Sequence, residues 1–194
     1  MAIVVLGICG CGSAPYMDLR HPIYLVPDKS LWSGCDQNPE GNTACRATRF
    51  QRVKEGVNQW FDYFDEDNRP RVVIISSKKG LPAKRVNEII YLKIKTGRCG
   101  KEKSGRNFAA CYNWAPFSSP EIVFDRPDLV TPHLMAHEFG HALGRRGHND
   151  VPEGEYSVMS YKLPTNVLLR DIKIMCRLHH ECRMEKRKQH RRNP

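Results

Sequence analysis

His137 and His141 stand four residues apart, and Glu138 follows the first of them directly. On a helix that spacing stacks both imidazoles on one face, one turn apart. Two such nitrogens can bind one metal ion at about 2.0–2.1 Å each. Glu138 then points slightly around the helix, where it can reach a water without occupying a coordination position. A carboxylate so placed takes a proton from attacking water and returns it to a leaving group, which is metal-assisted hydrolysis by the H-E-x-x-H pattern. The plainer reading of the same spacing is a pair of surface histidines. A catalytic zinc needs three protein ligands and one open position, so a third donor has to come from chain that turns back beyond the helix. His148 is that donor here. Gly144 frees the backbone for the reversal, and Gly147 gives a second flexible point before His148. Asp150, Glu153 and Glu155 are the acidic alternatives, and Asp150 could instead bond the far nitrogen of a ligand histidine.

The elements that must position these groups are legible in part. Thr131-Pro132 fits an N-cap followed by proline at the first helical position. Leu134, Met135 and Leu143 supply apolar positions of the same helix, and Gly144 suits its end. Upstream, Pro22–Pro27 reads as a short strand, and residues 44 to 64 read as a helix. Phe50, Val53, Val57, Trp60, Phe61 and Phe64 give that helix one apolar stripe. Arg71–Ser76, Glu88–Lys95, Phe108–Trp114 and Glu121–Asp125 read as strands. Downstream, Thr165 is a possible cap for a last helix with Leu168, Ile172, Met175 and Leu178 as its stripe. His133, His179 and His180 read as exposed.

The chain has 194 residues and a formal charge of +10. That length suits one domain, or one domain split by a cleft. Half of the charge sits in residues 183–194, where six basic residues face one acid and leave +5. A terminal run of this kind reads as a solvated basic tail. No nucleic-acid module is present, so no specific nucleic acid is expected.

There are eight cysteines and no CxxC pair, which disfavours a zinc ribbon or a thioredoxin-like site. Proximity suggests three local disulfides, Cys35–Cys45, Cys99–Cys111 and Cys176–Cys182, although other pairings of six cysteines stay open. Cys99–Cys111 would tie the strand at 108–114 to its neighbour. Cys176–Cys182 requires the last helix to end near Leu178. Disulfides imply an oxidising compartment. The run from Met1 to Cys11 is similar to the end of a bacterial lipoprotein signal peptide, with Ile8-Cys9-Gly10-Cys11 in the place of the lipobox. No Lys or Arg precedes it. Cys11 is then the expected lipidation site, and the chain is expected to be secreted or membrane-anchored by an N-terminal lipid.

His137 to His148, HEFGHALGRRGH, resembles the metzincin clan of zinc endopeptidases, whose pattern is H-E-x-x-H-x-x-G-x-x-H. Ser157-Val158-Met159-Ser160-Tyr161 resembles the Met-turn of that clan, and EIVFD at 121–125 with the run before it looks like the matrixin branch. The clan places its third histidine where Gly147 stands here, one residue before His148. The resemblance covers residues 21 to 182. It implies an α+β fold: a twisted mixed sheet backed by a helix, an active-site helix, and a small C-terminal lobe with the Met-turn and a closing helix. The upper lobe would run from 21 to 148 and the lower from 149 to 182, after a leader and linker at 1–20. It further implies one catalytic Zn²⁺ on His137, His141 and His148, Glu138 as general base, and Met159 as a structural floor. Tyr161 would donate to the developing oxyanion. A peptide or protein substrate would lie extended along Ala109, Ala110, Cys111, Tyr112 and Asn113 as an added strand. A monomer is expected, and calcium sites stay open. Two further readings remain: a metzincin-like binding module without activity, and a peptidase with an acidic third ligand.

Overall fold

A computed structural model describes residues 17, 19–64, 69–75, 81, 88–101, 105–114, 118–145, 148, 157–160 and 166–179. Five strands form: β1 (Ile23–Pro27), β2 (Val72–Ile74), β3 (Ile89–Ile94), β4 (Ala110–Asn113) and β5 (Glu121–Phe124), all but β4 carrying β-branched residues. They make one mixed sheet in the order β2-β1-β3-β5-β4. Every pairing is parallel except β4 with β5, which is antiparallel. β4 is therefore an edge strand, as its place in the chain suggests.

Three α-helices are present among the described residues: α1 (Asn42–Phe61), α2 (Pro132–Ala142) and α3 (Leu169–Leu178). The molecule is thus an α+β fold. One sheet face presents Ile23, Leu25, Ile90, Leu92, Ile122 and Phe124 to a core shared with all three helices. From α1 come Val53, Val57, Trp60 and Phe61; from α2, Met135, Phe139 and Leu143; from α3, Ile172 and Met175. Phe61 and Phe139 meet edge to face at 5.9 Å. Met17 and Leu19 are buried in the same core, so packed chain begins before residue 21.

The apolar stripe of α1 departs from expectation at Phe50, which is 39% exposed. The inward face of that half of the helix runs through Cys45, Arg49 and Val53 instead. Residues four apart share a helix face, and Phe50 stands about 100° away from Arg49. Arg49 faces inward because its Nη1 donates to the carbonyls of Leu31 (2.6 Å) and Ser33 (2.8 Å). Its burial weakens its hold on the proton. The Cys35–Cys45 disulfide pins the same segment to α1.

The second disulfide, Cys99–Cys111, also forms. It does not join β4 to its neighbour β5. It links β4 to the turn after β3 and so passes over β5, where Cys99 Sγ lies 3.6 Å from the Val123 carbonyl. Cys176 is disulfide-bonded as well, and α3 ends at Leu178; Cys182 lies outside the described residues. α3 begins later than Thr165, with Leu168 at its cap, and its first turn is held by Asp171, whose Oδ2 accepts the Leu168 N–H at 3.0 Å. No helix among the described residues is long and apolar enough to cross a membrane.

Candidate functional site

α2 starts where Thr131 accepts the Leu134 N–H on its hydroxyl (3.3 Å), with Pro132 following. It ends at Leu143 and Gly144, the latter at φ 96°, which a side chain would strain. Along the helix Met135, Phe139 and Leu143 face the core, whereas residues two apart stand about 200° apart on the helical wheel. Burying Phe139 thus turns His137 and His141 to the opposite face.

There the two imidazoles meet His148. Ring centroids are 4.9 Å apart for His137–His141, 4.9 Å for His137–His148 and 5.0 Å for His141–His148. One ligand nitrogen from each of the three lies within 4.8 Å of the others. The backbone fixes two of the rings. His137 Nδ1 donates to the Val158 carbonyl (2.6 Å), and His141 Nδ1 donates to the Arg145 carbonyl (2.5 Å). A carbonyl only accepts, so both Nδ1 atoms carry hydrogen and both neutral rings keep a bare Nε2 lone pair. His137 Nε2 is 3.0 Å from His148 Nε2. Two nitrogens on one tetrahedral zinc would lie about 3.3 Å apart. The donor set fits a small adjustment away from such an ion, and three imidazoles can hold a metal ion here.

Electrostatics point the same way. Burial, then the charge of His137, lowers His141 to about 3; the Arg145 carbonyl pulls the other way, and the charges of His148 and Arg145 add smaller downward pushes. Burial also lowers His137, against the Val158 bond. Both rings therefore stay neutral, as ligands must. Glu138 is almost fully enclosed, and burial pushes its carboxyl up to about 8, opposed by the backbone N–H of Tyr112.

No protein-family model and no curated protein matches the chain.

Tyr112 belongs to β4, so Glu138 connects α2 to the edge strand. The register explains this. Asp125 N–H donates to the Ala109 carbonyl, so residues 109, 111 and 113 face β5 and residue 112 turns its amide to the free side. Ala109 lies just before β4; Ala110, Cys111, Tyr112 and Asn113 form it. Tyr112 also carries a buried hydroxyl with no hydrogen-bond partner among the described residues.

Beneath α2 lies the turn Ser157–Ser160, closed by the Ser160 N–H on the Ser157 carbonyl (2.9 Å). Met159 in it is fully buried against α2. A methyl added at Gly140 would stand 2.6 Å from Met159 Sδ and would collide with the Trp60 ring. Trp60 Nε1 donates to the Ala136 carbonyl at 2.7 Å, which keeps α1 in that contact. Arg145 and Asp171 carry no mark of their contacts in the sequence, and Trp60 reads there only as part of the α1 stripe. For Gly140 the one available signal was a glycine inside an otherwise apolar helical pattern. His179, read as exposed, is buried instead: its Nε2 donates to the Leu143 carbonyl (2.9 Å) and ties the end of α3 to the end of α2. His133 is exposed. Tyr161, Asp150, Glu153, Glu155, His180, Cys11 and the basic tail lie outside the described residues, as do 149–156, 161–165 and 180–182 of the expected lower lobe.

Proposed function

We propose that this chain is a zinc-dependent endopeptidase of metzincin type. The observation that carries the reading is the convergence of His137, His141 and His148, with two of the three rings held by backbone carbonyls so that bare Nε2 lone pairs face a common point. Zinc suits three neutral nitrogens with a fourth position open. Zinc held there supplies Lewis acidity, which brings the ionisation of water near pH 7.

Glu138 performs the proton transfers. It accepts a proton from water as the water attacks the peptide carbonyl, and it delivers that proton to the departing amine. Its enclosure raises its proton affinity into the range useful near neutral pH. β4 offers an extended peptide the unpaired side of a sheet, which suits recognition by main-chain hydrogen bonds. Before that, the Tyr112 amide has to exchange its bond to Glu138 for one to substrate. Met159 supports α2 from below, and Tyr161 is the proposed donor to the oxyanion. Two disulfides suit an oxidising compartment, so we place the chain outside the cytoplasm, secreted or held by a lipid at Cys11.

The test is metal analysis of the purified protein together with cleavage of a mixed peptide library. One zinc per chain and cleavage abolished by a chelator are expected. Glu138→Ala should keep its zinc and lose roughly 10²–10⁴ in turnover. Unchanged cleavage by that variant would remove Glu138 from the reaction.

A further inference from the structure

Asp171 is completely buried, yet it stands on α3, outside the imidazole cluster. A carboxylate that only capped α3 would need no burial, because a surface acid in the first turn serves equally well. Enclosing it costs stability unless its bonds compensate, and an apolar residue would pack α3 more cheaply. Its partners give the reason. Oδ1 accepts the Ser157 hydroxyl at 3.2 Å. The Ser157 Oγ in turn accepts the Met159 N–H (3.2 Å), which sets the turn that carries the Val158 carbonyl. That carbonyl receives His137 Nδ1–H. The carbonyl that orients His137 thus belongs to a turn held by this carboxylate.

We propose that Asp171 is a positioning residue for the imidazole centre, acting on His137 through Ser157 and the turn that Ser157 closes. As a role in metal binding it rests on the zinc reading; as a role in ring orientation it does not. Outer partners of this kind set tautomer and ring angle, and their loss costs metal affinity about 10–100-fold.

Asp171→Asn tests it, because asparagine keeps the volume and one acceptor oxygen but loses the charge. Two readouts are taken on the full chain. In metal-free protein, long-range ¹H–¹⁵N spectra report which imidazole nitrogen carries hydrogen. In zinc titrations against a competing chelator, affinity is compared with that of Val53→Ala, a core variant distant from the site that lowers thermal stability generally. The expected result is loss of the pure Nδ1–H form at His137, with His141 as the internal reference, and zinc affinity lowered about 10–100-fold beyond the control. Ser157→Ala, a milder change, should move the same His137 signal; it decides the matter if Asp171→Asn does not fold. Wild-type imidazole signals in Asp171→Asn, or in Ser157→Ala where only that variant folds, overturn the proposal. A wild-type chain that takes up no zinc overturns the metal reading instead, and the imidazole signals still decide the role of Asp171.

Discussion

His137 and His141 resist protonation because burial strips solvent from the charged ring, and the charge of His137 adds to the cost at His141. The sign for metal binding follows. A lowered pKa leaves the nitrogen bare as pH falls below the ordinary value of about 6.5, so protons compete less with the metal. Between pH 7.5 and 5.5 zinc affinity should fall by about tenfold or less. Two imidazoles titrating at the ordinary value would alone cost about a hundredfold at pH 5.5, and a loss of that size would contradict the assignment. Glu138 behaves oppositely. Its raised value means that the metal-free fold prefers the carboxyl protonated, so stability is lost as pH rises from about 4.5 through 8. Glu138→Gln should accordingly stabilise metal-free protein at pH 9, by something on the order of 1–3 kcal/mol, and hardly at all at pH 4. Urea unfolding at the two pH values checks it; equal effects at both would show that ionisation is not the cause. At this scale the pairing of His137 with His141 was legible, because i, i+4 spacing is local. The carbonyls of Val158 and Arg145 were not, because a backbone acceptor has no signature in sequence.

α2 works because two elements touch it at glycines. Gly140 admits Trp60 and Met159, and Gly56 of α1 admits Pro132 and Met135; an added methyl at Gly56 would stand 2.5 Å from the Pro132 carbonyl oxygen and 2.7 Å from Met135 Cβ. Gly140→Ala should gain helix propensity and still lose roughly 1–3 kcal/mol by overpacking. It should also weaken zinc binding, since Met159 would be displaced together with the Val158 carbonyl that orients His137. Chemical unfolding and a zinc titration read the two effects; a variant as stable as the parent would refute the close contact. Opening Cys35–Cys45 by a double Cys→Ser change should cost roughly 2–3 kcal/mol, measured as a shift in unfolding midpoint. Four strand positions followed from β-branched runs, although β4, Ala-Cys-Tyr-Asn, has none, and α2 followed from its cap, its proline and its terminal glycine. Phe50 and His179 misled for one reason. Periodicity tells which residues share a face, but whether a polar residue such as Arg49 or His179 is buried depends on carbonyls contributed from 18 and 36 residues away.

The whole molecule sets a sheet edge beside a helix face and closes the gap from below with a turn and α3. That arrangement depends on strand order, β2-β1-β3-β5-β4, and on the reversal that makes β4 antiparallel. Neither is written in local pattern, because pairing partners lie far apart along the chain; resemblance to a clan, and not periodicity, suggested the edge position of β4. A chain exported and lipidated at Cys11 should incorporate a labelled fatty acid in cells, and Cys11→Ser should abolish the label; an unmodified mature Cys11 would remove the anchor. On the proposed reading, α2 and the chain beyond it jointly build one zinc site, with His148 as the ligand supplied from outside the helix. A zinc titration of wild type beside His148→Ala and Asp150→Ala tests this. One tight zinc is expected in wild type, with severe loss of affinity in His148→Ala and a lesser change or none in Asp150→Ala. Full zinc affinity in His148→Ala with loss in Asp150→Ala would hand the third position to another residue.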